Sequence, residues 1–142
     1  MKTLEYVVAE LRALNEPVPK PMRLPSESEV NAIEHEMGLT LHPQFRQYLL
    51  TASDVVCGVL EPVTVTIPNS HTHLPTVARE AGHWGVPKDL VPICHDNADY
   101  YCVASDGRVV FWSHDLQGPT GEEWPSIADW IKAVWIDESH DS

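Results

Sequence analysis

The sequence predicts an α+β fold, in which an antiparallel sheet packs against N-terminal helices and a C-terminal helix. Apolar residues recur at helical spacing through the first third of the chain and again near its end. Between these regions, residues 100–112 contain two short apolar runs joined by a tight turn. Strands joined in this way are antiparallel neighbours, which favours this class over an α/β fold.

The length of 142 residues fits one domain of ordinary size. A chain of this length buries roughly 70% of the surface that its unfolded form exposes, enough for a core without disulfides or metal. We expect the main domain at residues 22–136. Residues 1–21 form a helix and a proline-rich connector, either as part of the same domain or as an arm. Residues 137–142 form a polar, frayed tail.

The N-terminal segments predict three helices. The first has one apolar stripe and ends before the prolines of residues 17–21. The second begins with a capping box formed by Ser26 and Glu29 and ends at Gly38. The third has Pro43 in its first turn. The stripes that face the core are Leu4, Val7, Val8, Leu11 and Leu14, then Val30, Ile33 and Met37, then Phe45, Tyr48 and Leu49.

The middle of the chain predicts strands and one short helix. In residues 59–67, valine and isoleucine alternate with threonine, which is typical of a half-buried strand. A short helix follows over residues 74–82. Residues 90–94 form a second strand, and Pro92 indicates either an edge strand or a position early in the strand.

The clearest β pattern is a hairpin with strands at residues 100–104 and 108–112. Asp106-Gly107 lies between them, and glycine readily adopts the positive backbone angles that a tight reversal requires. The chain then closes with a helix that Ser126 caps and whose inward stripe is Ile127, Trp130, Ile131 and Val134.

The charge of the chain is strongly negative and unevenly distributed. The net charge is −12, of which −3 falls in residues 1–88 and −9 in residues 89–142. Such a surface repels nucleic-acid phosphates and anionic membranes, and it attracts a basic protein. Acids that only keep the domain soluble are the alternative.

Sequence features favour a reducing cytoplasm. No uninterrupted apolar stretch suits a signal peptide or a membrane span. The three cysteines, Cys57, Cys94 and Cys102, are odd in number and lack CxxC spacing, so we expect buried thiols.

No residue pattern predicts catalysis, a metal or a cofactor. His71 and His73 alternate as strand ligands would, but prolines flank them, which indicates a loop. A zinc site of Cys94, His95 and Cys102 would need a particular strand pairing. Nucleophile elbows, HExxH helices and phosphate-binding glycine loops do not occur. The chain is therefore predicted not to be an enzyme.

One cluster is a candidate partner-binding site. The residues before and after the hairpin meet at one end of the sheet and bring acids and aromatic rings together, as in protein interfaces. The alternative is that Tyr101 and Trp112 are core residues and that the acids occupy a turn. The candidate residues are Asp96, Asp99, Tyr100, Trp112, His114 and Asp115, with Glu122 and Glu123 beyond them.

Four sequence segments resemble, in the same order, motifs of the SUKH superfamily of Smi/Knr-type domains. They comprise the capped helix with residues 38–49, the strand pair of residues 90–102, the segment of residues 107–115 and the final helix from Ser126. The resemblance covers about residues 22–135.

The resemblance implies a non-enzymatic α+β domain. Bacterial members commonly act as immunity proteins that bind and neutralise a cognate toxin, often a nuclease with a basic cleft. A cognate toxin domain or another basic protein is therefore the expected partner, and the oligomeric state is left open. The alternatives are a regulatory or scaffold module of the same family and, third, a metal-dependent enzyme that uses the histidines.

Overall fold

The computed structural model describes residues 3–96 and 98–140, apart from the side chains of residues 139 and 140. The chain begins with three helices, continues through a fourth helix into four strands, and closes with a helical segment. In order, the elements are α1 (Leu4–Ala13), α2 (Glu27–Met37), α3 (Pro43–Ala52), α4 (Leu74–His83), β1 (Val91–Asp96), β2 (Asp99–Val103), β3 (Val109–Ser113), β4 (Gly118–Trp124), α5 (Ile127–Trp130), a π-helical stretch (Ile131–Ile136) and α6 (Asp137–His140).

The four strands form one antiparallel sheet in the order β1-β2-β3-β4. The predicted hairpin is β2 and β3, in which Tyr101 lies opposite Phe111, and Gly107 turns the chain with φ of 93°. Pro92 lies in β1, an edge strand, as predicted. The α+β class, with N-terminal helices and a C-terminal helix around this sheet, is confirmed.

The N-terminal helix α1 packs into the core. Its apolar stripe is buried, with Val7 and Leu11 fully inaccessible, and it contacts α3 and α5. The Arg12 guanidinium also forms a bidentate ion pair with the Asp54 carboxylate, with nitrogen–oxygen distances of 2.7 and 3.2 Å. The apolar stripe of α1 therefore contributes to the same core as α3 and α5.

The predicted helix ends are present in α2 and α3. The Ser26 hydroxyl accepts from the Glu29 N–H while the Glu29 carboxylate accepts from the Ser26 N–H, which completes the capping box. Gly38 ends α2 in the left-handed conformation. Pro43 occupies the first turn of α3, and the cap is His42, which the sequence had not indicated.

The C-terminal helix begins where Ser126 caps it and then widens into the π-helical stretch. Trp130 and Trp135 lie inside the core, each 1% exposed or less. Residues 137–140 of the predicted frayed tail are helical, and residues 141 and 142 lie outside the described residues. Within residues 3–96 and 98–140, no helix is long and apolar enough to cross a membrane.

The predicted strand over residues 59–67 is wrong. This segment makes only single bridges, from Pro62 to Cys94 and from Thr64 to His73. Residues 62–65 are all buried, so the alternation of valine and threonine does not separate an inner from an outer face. The segment crosses the edge of β1, where Pro62 lacks an N–H for a continuous ladder.

Strand β4 was not predicted. It contains two glycines and a proline, and most of its residues are exposed, so it lacks an apolar alternation. It forms because it pairs with the free edge of β3. Such pairing cannot be recognised from the periodicity of the sequence of β4 alone.

Candidate functional site

One end of the sheet carries the predicted acids. β1 ends there at Asp96, β2 begins at Asp99, and the turn after β3 supplies His114 and Asp115. We call Asp96, Asp99, His114 and Asp115 the acidic rim. Asn97, which follows Asp96 in the sequence, lies outside the described residues. The structure thus joins the two ends of the hairpin as the sequence predicted.

The rim is organised around the His114 imidazole. An oxygen of Asp99 accepts from the His114 backbone N–H at 3.0 Å and lies 2.7 Å from Nδ1. An oxygen of Asp115 lies 3.3 Å from Nε2. Because both ring nitrogens face carboxylates, the ring is best satisfied as an imidazolium that donates from both.

The pKa values of this pair agree with that geometry. The hydrogen bond to Asp99 raises the pKa of His114 above its ordinary value, and the Asp115 charge adds to the effect. Burial raises the pKa of Asp99, but the bonds from the His114 backbone and ring outweigh it and lower the pKa overall. Both shifts favour the charged forms, so the pair keeps its two charges over a wider pH range than the free side chains would.

The prediction that Tyr100 and Trp112 are interface anchors is wrong. Their exposed fractions are 2% and 1%, so neither ring is available to a partner. The rings lie opposite each other on β2 and β3, and Trp112 packs near Gly85, just after α4. The alternative reading of Trp112 as core is confirmed. Large aromatic side chains that lie opposite each other on neighbouring strands pack together and are buried by the segments around the sheet.

Glu122 and Glu123 do not belong to the rim. They lie in the second half of β4, where Glu123 is opposite Val110. At about 3.3 Å per residue, roughly 16 Å of strand separates Glu123 from Gly118 at the rim end. Glu123 instead forms an ion pair with Arg108 at 2.9 Å.

Trp84 is the residue that sequence reasoning missed. It caps the C-terminus of α4 and is 46% exposed. Its ring meets the His114 ring edge-on, with centroids 5.4 Å apart. Leu116, two residues beyond His114, is 65% exposed. The sequence did contain one indication of its exposure. Trp84 follows the helix predicted over residues 74–82, and it does not belong to the apolar stripe of that helix.

The thiols of Cys94 and Cys102, and the side chains of His71 and His73, do not belong to the rim. Burial raises the pKa values of Cys94 and Cys102 to about 12, so both thiols stay protonated. His71 is exposed and pairs with Glu61 at 2.5 Å, whereas His73 is buried at the start of α4. Within residues 3–96 and 98–140, no three His, Cys, Asp or Glu side chains are grouped to hold a metal.

A separate groove of about 710 Å³ lies between the end of α2, α4 and the start of β1. Its walls are mainly apolar, with Arg79, Lys88, Glu36 and Asp89 among the lining residues. The charges balance, so the groove differs from the acidic rim in character. No sequence pattern indicated it, because its walls come from distant segments.

Comparison with known proteins identifies the family. A family model described as SUKH_5, SMI1-KNR4 cell-wall, matches residues 4–136, nearly the whole chain. The chain belongs to the SMI1-KNR4 family. The match begins at α1, so it includes the helix that the sequence left as a possible arm.

A solved structure supports the same fold. The chain is similar to a crystal structure described as a protein from Pseudomonas syringae pv. tomato. The TM-score is 0.88 and the sequence identity 49%, over 92% of this chain and 97% of the other. No curated protein matches the chain significantly in sequence.

Proposed function

We propose that this SMI1-KNR4 family member is a non-enzymatic immunity protein of the cytoplasm, which binds and covers the basic surface of a cognate toxin domain. The observation that carries the proposal is the acidic rim beside an exposed tryptophan, on a chain of net charge −12. An exposed aromatic ring beside polar groups is typical of residues that dominate binding energy.

The ion pairs of the chain favour the rim as the binding surface. The lysine and arginine side chains that form ion pairs do so away from the rim: Arg12, Arg23, Arg46, Arg108 and Lys132. Within the described ranges, none of these pairs uses a rim carboxylate. Asp115, 85% exposed at its side chain, has the His114 ring as its ion-pair partner. The rim therefore has negative charge for an incoming cation.

The same geometry argues against catalysis at the rim. An Asp–His pair can activate a nucleophile only if the second ring nitrogen faces one. In His114 that nitrogen faces the carboxylate of Asp115, not a hydroxyl or a thiol. The neighbouring Ser113 hydroxyl instead accepts from the Leu116 N–H at 3.4 Å.

Co-purification tests the proposal. The chain is expressed with the protein encoded beside it, and one of the two carries an affinity tag. We expect a complex whose formation abolishes toxicity and slows with added salt, because steering by charge is screened. A toxin that stays active in the presence of excess chain would contradict the proposal.

Rim variants test the electrostatic part of the proposal. Asp96→Asn with Asp115→Asn should slow association and flatten its dependence on salt, while dissociation changes less. The matched control is Glu5→Gln with Glu27→Gln, which removes the same charge from exposed positions on α1 and α2. Equal effects of the two double variants would assign steering to the net charge and not to the rim.

A regulatory or scaffold module is the second candidate, since the description of the family model refers to the cell wall. It uses the same surface with a partner that is not toxic. Co-purification distinguishes the two functions, because a scaffold would bind a partner whose expression alone does not stop growth.

A further inference from the structure

We propose that the surface formed by Trp84, His114 and Asp115 is an arginine-binding site for the protein partner. The inference rests on the proposed function and names the side chain that the rim would recognise. We call these three residues the Trp84 site.

The geometry combines the two features that recognise a guanidinium group. Trp84 offers a half-exposed indole, and a planar cation stacks on such a ring. Asp115 offers a largely exposed carboxylate, which can accept two parallel N–H bonds from arginine. The His114 ring contacts both residues and so holds the indole and the carboxylate on one surface.

Asp115 is the residue of the Trp84 site whose negative charge is not balanced by a positive charge. With His114 protonated, it forms with Asp99 a pair that is neutral overall, and their shortest contact is 2.7 Å. The second carboxylate, Asp115, is farther from the ring at 3.3 Å. An incoming cation therefore meets a site of net charge −1, with Asp96 nearby on β1.

Arginine fits the Trp84 site better than lysine does. A guanidinium is flat and weakly hydrated, so it stacks on an indole and still donates sideways to a carboxylate. An ammonium is a compact, strongly hydrated charge that satisfies the carboxylate but gains less from the ring. The site thus predicts selectivity for arginine, which a purely electrostatic rim would not show.

Two basic peptides test this selectivity. Hexa-arginine and hexalysine are titrated into the full chain while the indole N–H signals are followed by NMR, with Trp84→Phe identifying the Trp84 signal. We expect hexa-arginine to shift this signal and to bind about three- to fivefold more tightly than hexalysine. Equal affinities, or an unmoved Trp84 signal, would overturn the proposal.

Variants locate the site. Trp84→Ala and Asp115→Asn should each bring the affinity for hexa-arginine down to that for hexalysine. Asp115 is exposed, so its variant does not endanger folding, and Glu122→Gln on β4 is the control with the same loss of charge. If the variants bind hexa-arginine like the parent protein, the site is refuted even where a basic partner co-purifies. If no partner co-purifies while arginine selectivity persists, only the proposed function fails.

Discussion

Gly107 joins the hairpin to the helical layer through a contact that only glycine permits. Its φ is 93°, and a Cβ at this position would lie 2.6 Å from Nε2 of His42, the cap of α3. Gly107→Ala should therefore cost about 3 kcal/mol, from backbone strain together with the clash. Urea unfolding monitored by tryptophan fluorescence measures the loss.

Two further variants separate the causes of that cost. Gly121 has φ of 99° and open space where a Cβ would stand, so Gly121→Ala isolates the strain, at about 1–2 kcal/mol. With His42→Ala as the background, Gly107→Ala should cost less than in the parent protein. Equal costs in both backgrounds would show that the His42 ring is not the obstacle.

The Asp99–His114 pair should make stability depend on pH. The pKa of His114 is raised in the folded state by its bond to Asp99, so the contribution is full below the unfolded pKa of about 6.5. It is lost as pH rises through the folded pKa, and also in acid as Asp99 becomes protonated. Thermal unfolding of the parent and of Asp99→Asn should therefore differ more at pH 5.5 than at pH 9. A difference independent of pH would contradict the pairing.

Two buried tryptophans, Trp130 at the end of α5 and Trp135 in the π-helical stretch, have different polar surroundings. Trp135 donates its indole N–H to the Cys57 carbonyl at 2.9 Å, whereas the indole N–H of Trp130 has no acceptor among the described residues. Trp→Phe removes a similar ring volume at each position. Trp135→Phe should thus cost about 1 kcal/mol more than Trp130→Phe, as measured by urea unfolding. The opposite order would show that packing outweighs the hydrogen bond.

The capping box of α2 should contribute measurably to stability. Ser26→Ala removes the acceptor for the Glu29 N–H and should cost about 1 kcal/mol. Ser28→Ala is the matched control, since Ser28 is exposed within the helix and alanine favours helices. Chemical unfolding measures the free energy of unfolding of the two variants. If Ser28→Ala lowered it as much as Ser26→Ala does, the cap would not contribute to stability.

Elements with local determinants were predicted, and elements that depend on distant partners were not. The α2 capping box and the Asp106-Gly107 turn are encoded within a few residues, and both are present. The strand predicted at residues 59–67 failed because tertiary contacts bury all of residues 62–65, so the local alternation is not used. Strand β4 has no apolar pattern and depends on the free edge of β3.

The candidate site shows the same difference between features with local determinants and features that depend on distant segments. Contact between Asp99 and His114 follows from the hairpin register, and the sequence predicted that meeting. The exposure of Trp84 and the burial of Tyr100 and Trp112 depend on which loops cover the sheet. A sequence lists aromatic residues near a turn, but only the packed structure decides which ring faces solvent.

At the scale of the whole molecule, function and stability make opposite demands on charge. The net charge of −12 speeds encounter with a basic partner, but it also makes the folded chain repel itself. Among the described ion pairs, Arg12 and Arg46 bind carboxylates on the helical layer, whereas the pairs at the rim join Asp99 and Asp115 to His114. The rim thus keeps carboxylates that no lysine or arginine of the described ion pairs neutralises.

Salt should therefore stabilise this protein, although it weakens the proposed complex. Raising NaCl from 0.05 to 0.5 M shortens the screening length from about 14 to 4 Å and reduces repulsion within the fold. We expect the melting temperature to rise with NaCl at pH 8, as measured by differential scanning calorimetry. Near the sequence pI of about 4.9 the net charge vanishes, so the rise should disappear there. A melting temperature that falls with salt at pH 8 would mean that ion pairs outweigh net repulsion, and the stability cost of the acidic surface would then be refuted.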